Sequence, residues 1–316
     1  MTHPFRFALQ LHSMPLPDWA DRARKIEALG YSTIFWPDHF GTQWDPTTSL
    51  AAVAAVTETL RVGSLVYDVD YRHPVVFAKA AATLHLLSGG RHEFGLGAGW
   101  METDYTAAGM DYDRPGIRIE RLEEALQIID SMWTQESTTF DGKHYQIREI
   151  AQAAELPPGE KPAILVGGGG RRVLRIAGRY ADIVGVNPSL VEGKVTSNTA
   201  RDLAPSRVRE KVDWVLDAAT AAGRDTEEIE LNSLVFVVSI SDDPAGLRQG
   251  LAQNTGMTVD EVSNCPLFLT GSASEIRDRL LKRRDETGIS YITIQGDQLE
   301  VIEQFAEEIV KPLSGR

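Results

Sequence analysis

The chain has 316 residues, 42% hydrophobic and 24% charged, a globular balance with length enough for one large barrel or two medium domains. A net charge of −13 argues against nucleic acid or an anionic membrane surface as a partner, because both reward basic faces. Cys265 stands alone, which excludes an intrachain disulfide. With no signal-peptide core in MTHPFRFALQ and no apolar run of membrane-spanning length, this points to the cytoplasm.

Phe5 to Leu11 is predicted as the first strand, and Trp19, Ala23, Ile26 and Leu29 recur at helical spacing until Gly30. Ser32 to Trp36 is the second strand and runs into Pro37-Asp38-His39. A short apolar helix from Thr48 to Thr57 leads to the third strand, Val62 to Tyr67. Pro74 opens a helix with Phe77, Ala80, Ala81, Leu84 and Leu87 on one face, and Gly89-Gly90 stops it. Phe94 to Gly99 reads as a buried fourth strand, so Arg61 to Trp100 forms a β-α-β unit. A polar loop follows, then a long helix carrying Leu122, Ala125, Leu126, Ile129 and Trp133.

Thr138 to Ile147 has the pattern of a hairpin turning at Asp141-Gly142. Ala163 to Val166 and Ala181 to Val186 are the fifth and sixth strands, separated by Gly167 to Gly170 and a helix through Leu174 and Ala177. A helix from Val208 to Ala222 precedes the seventh strand, Leu231 to Ile240. Ser272-Ala-Ser-Glu275 is a capping box for a helix ending before Gly288, Tyr291 to Gln295 is the eighth strand, and Leu299 to Val310 closes the chain. Eight strands alternating with helices predict a (β/α)8 barrel with insertion segments, one domain over 1–316; an open doubly wound sheet is the alternative. Asn187 to Pro205 and Ser239 to Leu267 fit no single element and read as excursions over one rim.

A barrel carries its site at the C-terminal ends of its strands. The candidates are therefore His12, Asp38, His39, Leu65 to Asp68, Gly97 to Trp100, Gly167 to Gly170 and Asn187, a set rich in glycine and without clustered metal ligands. Asp38-His39 pairs an acceptor with a group that trades protons near neutrality, or else is a cap and a loop filler. The four glycines between a strand and a helix let backbone N–H groups approach an anion, with Arg171 and Arg172 adding charge; tight turns use glycine too. Trp44 is read as pocket wall or simple packing, Glu102 and Asp104 as solvated acids, and Arg118 and Arg121 as surface pairs.

The run RHP…AKAAATLHLLSGGRHEFGLGAGW resembles the luciferase-like flavin-dependent oxidoreductases, most sharply over Phe35 to Trp100 and Pro162 to Val186. That resemblance implies the barrel, a small-molecule substrate, a homodimer formed near the second and third strands, and no metal. Asp38-His39 matches the pair that marks members using the deazaflavin coenzyme F420, which implies that His39 faces the redox carbon and the substrate; Asp38 is read as orienting the ring or holding its charge, as carboxylates commonly do for catalytic histidines. The strand through Leu65 and Val66 matches one that ends in a non-prolyl cis peptide against the middle ring of the cofactor. Gly167, Gly168, Gly169 and Gly170 match the phosphate site, helped by Gly99, Trp100 and Thr103. Two departures matter for substrate. The deazaflavin sugar-phosphate dehydrogenases carry a Glu where this chain has Trp100, and His39 to Trp44 is one residue longer. Their phosphate-holding basic cluster has no match either, so glucose 6-phosphate is disfavoured. The expected activity is F420-dependent hydride transfer, with an FMN-dependent monooxygenase on the same fold as alternative. A metal-dependent barrel hydrolase and a non-catalytic flavin-binding scaffold are the competing classes.

Overall fold

The computed structural model describes residues 3–189 and 197–316. Eight strands, β1 (Arg6–Gln10), β2 (Thr33–Trp36), β3 (Arg61–Ser64), β4 (His92–Gly97), β5 (Ala163–Gly168), β6 (Ile183–Val186), β7 (Glu230–Val235) and β8 (Tyr291–Gln295), pair in parallel with their neighbours. β8 returns to β1 in the register Arg6↔Tyr291 to Gln10↔Gln295, so the sheet is a closed barrel and the open-sheet alternative falls.

Strand alternation sorts the side chains. Phe7, Leu9, Ile34 and Trp36 face the surrounding helices in the main core, while Ala8, Phe35, Leu165, Ile183 and Tyr291 pack inside the barrel. The N-terminal end of the barrel is closed by charge. Glu93, buried, accepts from Arg6 Nη1 at 2.6 Å and Arg61 Nε at 2.7 Å, and Tyr291 donates to its other oxygen at 2.9 Å. Burial alone would raise the Glu93 carboxyl, but the two guanidinium groups hold it below its ordinary value.

The helices start and stop where local chemistry directs. Asp45 caps Pro46–Val56 through Thr48 N at 2.8 Å, and Ser272 with Glu275 forms the expected capping box of Ala273–Thr287, which ends at Gly288 with φ 77°. Two expectations are corrected. The third strand is not continuous to Tyr67: it stops at Ser64, the Leu65–Val66 peptide is cis, and Tyr67–Asp68 pairs separately with Leu96 and Gly97. The seventh strand leaves the barrel at Phe236, and Val237–Ile240 joins Phe268–Gly271 in a two-stranded parallel sheet of its own. Between them lie two helices, Ala245–Thr255 and Val259–Asn264. Part of the other excursion, 190–196, lies outside the described residues. Among the described residues no helix is long and apolar enough to cross a membrane.

Candidate active site at the C-terminal rim

Parallel closure brings His12, Asp38, His39, the Leu65–Val66 peptide, Gly97 to Trp100, the glycine run and Asn187 to one rim, each just past or at the end of its strand. At its centre stands His39. Its Nδ1 lies 2.7 Å from Asp104 Oδ2, and the ring packs edge-on to Trp100 at 5.6 Å between centroids. The two side chains are 19% and 10% exposed, so the pair is largely out of water while the ring keeps one accessible edge. In the neutral ring, a donor at Nδ1 facing the Asp104 carboxylate leaves Nε2 with a free lone pair.

This corrects two expectations. The stretch after Gly99 is not a polar loop around a solvated acid, because Glu102–Ala108 is a helix that buries Asp104 while leaving Glu102 exposed. Asp38 is turned away from the ring it was expected to orient. It accepts from Arg72 Nη1 at 2.6 Å, Arg72 Nη2 at 3.3 Å and Asp68 N at 3.3 Å. Burial pushes its carboxyl up, and Arg72 opposes that rise. Neighbours in sequence are therefore not partners here: Asp38 bonds to Arg72, and His39 to Asp104.

Behind the pair lies a second buried carboxyl. The single Tyr105 hydroxyl faces both Asp68 oxygens, at 2.9 and 2.8 Å, and donates one proton shared between them. Burial pushes Asp68 up to about 7, with Asp70 and Asp38 adding to the rise and the bonds from Asp70 N and Tyr105 opposing it. Gly99, at φ 67°, lies so close to Asp68 and Tyr105 that a Cβ would strike both. Arg118, expected on the surface, is buried and donates to Ala98 O at 2.9 Å, to Gly99 O and to Asp113 O at 2.8 Å, clamping the loop that carries Trp100. Arg121 is half-buried, with Asp70 and Asp113 each at 2.7 Å.

The cis peptide is set in polar and glycine surroundings that sequence reasoning missed. Gln10 donates to Leu65 O, and Gln295 donates to Gln10 Oε1 at 2.9 Å. The Val66 side chain fills space beside Gly97, where a Cβ would come within 2.6 Å of it. Trp44 stacks on Trp36 with rings 2° from parallel and 6.5 Å apart, the packing alternative of its two readings.

The glycine run divides on steric grounds. A Cβ at Gly167 would press on Val66 at 3.2 Å, at Gly168 it would collide with Val173, and at Gly169 with the Pro188 backbone. Gly168 and Gly169 are thus required by the protein's own packing, and Gly167 sits in a tight contact. Gly170 is different, because a Cβ there meets nothing within 4 Å. It is the N-cap of Arg171–Tyr180, a helix with no side-chain cap and no acidic residue in its first turn. Its first amides are thus open donors at an electropositive end, which suits a phosphate. Lys211, unexpected and fully buried, supports this loop from beneath, with Nζ donating to Gly169 O at 2.5 Å, Asn187 O at 3.1 Å and Asp202 Oδ2 at 2.7 Å. Thr103 is exposed on the first turn of Glu102–Ala108. No group of three or more His, Cys, Asp or Glu side chains among the described residues is placed to hold a metal.

Comparison with known proteins gives this rim its context. The chain is 35% identical over 201 residues to a phthiodiolone/phenolphthiodiolone dimycocerosates ketoreductase of Mycobacterium sp. (strain JLS), covering 62% of this chain and 48% of the relative, about half its length. It is 28% identical over 232 residues to an F420-dependent glucose-6-phosphate dehydrogenase of Microbacterium testaceum (strain StLB037), covering 69% of this chain and 68% of that protein. The fold is shared with an F420-dependent secondary alcohol dehydrogenase solved with an F420-acetone adduct, at TM-score 0.78 and 18% identity over 97% of this chain and 98% of that one. A family model described as luciferase-like monooxygenase matches residues 1–310, and the chain belongs to that family.

Proposed function

We propose that the protein is a coenzyme F420-dependent oxidoreductase, formed by one luciferase-like unit over 1–316, that interconverts a small uncharged alcohol and its carbonyl compound. The observation that carries this reading is the His39–Asp104 pair at the barrel rim. The open amides at Gly170 would hold the cofactor's phosphate, with Gly167 to Gly169 shaping the turn and the loop of Gly99, Trp100 and Thr103 assisting, and Leu65-Val66 would support its ring. When bound, the deazaflavin supplies a two-electron hydride acceptor or donor. His39 Nε2 takes the hydroxyl proton as the carbinol hydride leaves, and returns it in the reverse direction. Asp104 fixes the ring's tautomer and stabilises the imidazolium that forms; Asp38 acts through Arg72 on the loop that presents His39. Trp100 against His39 gives the substrate side an apolar wall, which disfavours a charged sugar phosphate.

Exposed Val76, Leu86 and Leu87 on Pro74–Leu87 support association of two copies through the helix after β3, and the single buried, unpaired Cys265 supports a cytoplasmic location. Titration of the purified protein with coenzyme F420 and with FMN tests the cofactor. Tight binding of the deazaflavin, and a His39→Ala variant that binds it but loses about 10²–10⁴ in rate, are expected. Binding of FMN alone, with oxygen-dependent turnover, would replace this reading by a monooxygenase.

A further inference from the structure

The helix Arg171–Tyr180 starts at Gly170 and leads away from the rim along the outside of the barrel. It buries Val173, Leu174, Ile176 and Ala177 and exposes Arg171, Arg172, Arg175 and Arg179. Those four arginines and Glu123 line a cleft of about 440 Å³. Residues 171, 175 and 179 lie about 6 Å apart along the axis, a ladder of like charges that repel one another. In a chain of net charge −13, acids to neutralise such a ladder are plentiful, yet few are used. Arg179 pairs with Glu123 at 2.7 Å. Arg172 approaches Glu120 only to 3.5 Å, while Lys143 at 2.7 Å and His144 at 3.1 Å hold that carboxylate more closely. Arg171 lies 5.8 Å from the Trp214 ring, and among the described residues no carboxylate meets the Arg175 guanidinium.

We propose that this arginine ladder binds the oligo-γ-glutamate tail of the deazaflavin cofactor. The inference rests on the cofactor reading above and extends it to a part of the molecule that takes no part in the chemistry. The tail leaves the cofactor at its phosphodiester, which the open amides at Gly170 receive, and the ladder begins at the next residue. Each glutamyl unit brings a carboxylate, and each helical turn of this face brings an arginine. FMN ends at its phosphate and has no group to place there. Charge complementarity and continuity with Gly170 therefore select one occupant for the cleft.

The test compares two ligands by fluorescence titration: the cofactor with several glutamates, and its phospholactyl form with none. The wild-type protein is expected to bind the tailed form about tenfold more tightly at low salt, and the preference should shrink as salt screens these exposed charges. Arg175→Gln with Arg179→Gln should abolish the preference while leaving affinity for the tail-free form within about twofold. Glu123→Gln, which releases Arg179, should shift the preference the other way. Equal affinity of the wild-type protein for both forms, or parallel loss of both in the arginine variant, would overturn the proposal and leave the cofactor reading intact. Failure to bind either form while FMN binds would overturn both. Melting temperatures matched to wild type confirm that the variants are folded.

Discussion

Asp104→Asn keeps the size of the side chain and removes the charge facing the His39 ring. The bond it alters is 2.7 Å long, between side chains 19% and 10% exposed, so water substitutes poorly for it. Hydrogen bonds to charged groups of this kind contribute about 1.5–3 kcal/mol. The full loss falls on the step in which the ring becomes an imidazolium, and each 1.36 kcal/mol or so is a factor of ten in rate. The chemical step should therefore slow by about 10- to 150-fold. The Tyr71 hydroxyl, 3.4 Å from Asp104 Oδ2, is too far to make good the loss. Anaerobic stopped-flow measurement of the deazaflavin's visible absorbance, at saturating alcohol, reads that step directly, while equilibrium titration should give cofactor affinity within about twofold of wild type. Combining Asp104→Asn with His39→Ala should slow the reaction no further than His39→Ala alone, because the two residues act as one unit. A wild-type rate for Asp104→Asn beside a slow His39→Ala would refute the pairing. So would an Asp38→Asn variant that slows the chemical step more than Asp104→Asn does.

Three further outcomes follow from the geometry. Gly170→Val puts its side chain into open space, so it should melt like wild type yet bind the cofactor about 10- to 100-fold more weakly; Gly168→Val drives its side chain into Val173 and should lower the melting temperature first. Asp68, pushed up to about 7 when folded and ionising near 3.9 when unfolded, favours the fold while protonated, and that stability is lost as pH rises from about 4 through 7. Asp68→Asn should thus gain in melting temperature relative to wild type on going from pH 5 to pH 8, and a constant difference would contradict the burial argument. Lys211→Met removes three bonds under the glycine loop and should cost about 1.5–3 kcal/mol in denaturant unfolding, with weaker cofactor binding alongside.

The barrel was legible because buried parallel strands are short apolar runs, and runs such as Ala163 to Val166 carry that signature without help from distant residues. Caps were legible for the same reason, as with Ser272 and Glu275, since their partners lie within one turn. Asp104 was not. Its helix, ETDYTAA, is too short and polar to show a period, and only tertiary packing puts its acid beside His39. Lys211 was missed and Arg118 misread as a surface pair, although a signal was present. Lys211 falls three residues after Val208 and four before Val215, and Arg118 four before Leu122, so both sit on the apolar stripe of their helices. A long cation on such a stripe marks a buried carbonyl cluster to be served, here the loops at Gly169 and Gly99.

The point at which the seventh strand leaves the barrel has an evolutionary consequence. Val237–Ile240 and Phe268–Gly271 run side by side, tied further by Phe236 N to Leu267 O at 2.9 Å and Ser241 N to Gly271 O at 2.9 Å. Everything from 242 to 266 is thereby clasped at its neck, and the closed barrel makes no demand on its length. Because lengthening a loop whose ends are already joined adds little entropic cost, this segment is a cassette that drift or design can exchange while the barrel stays unchanged. Insertions or deletions between 242 and 266 then leave the histidine, the glycine turn and the barrel in place.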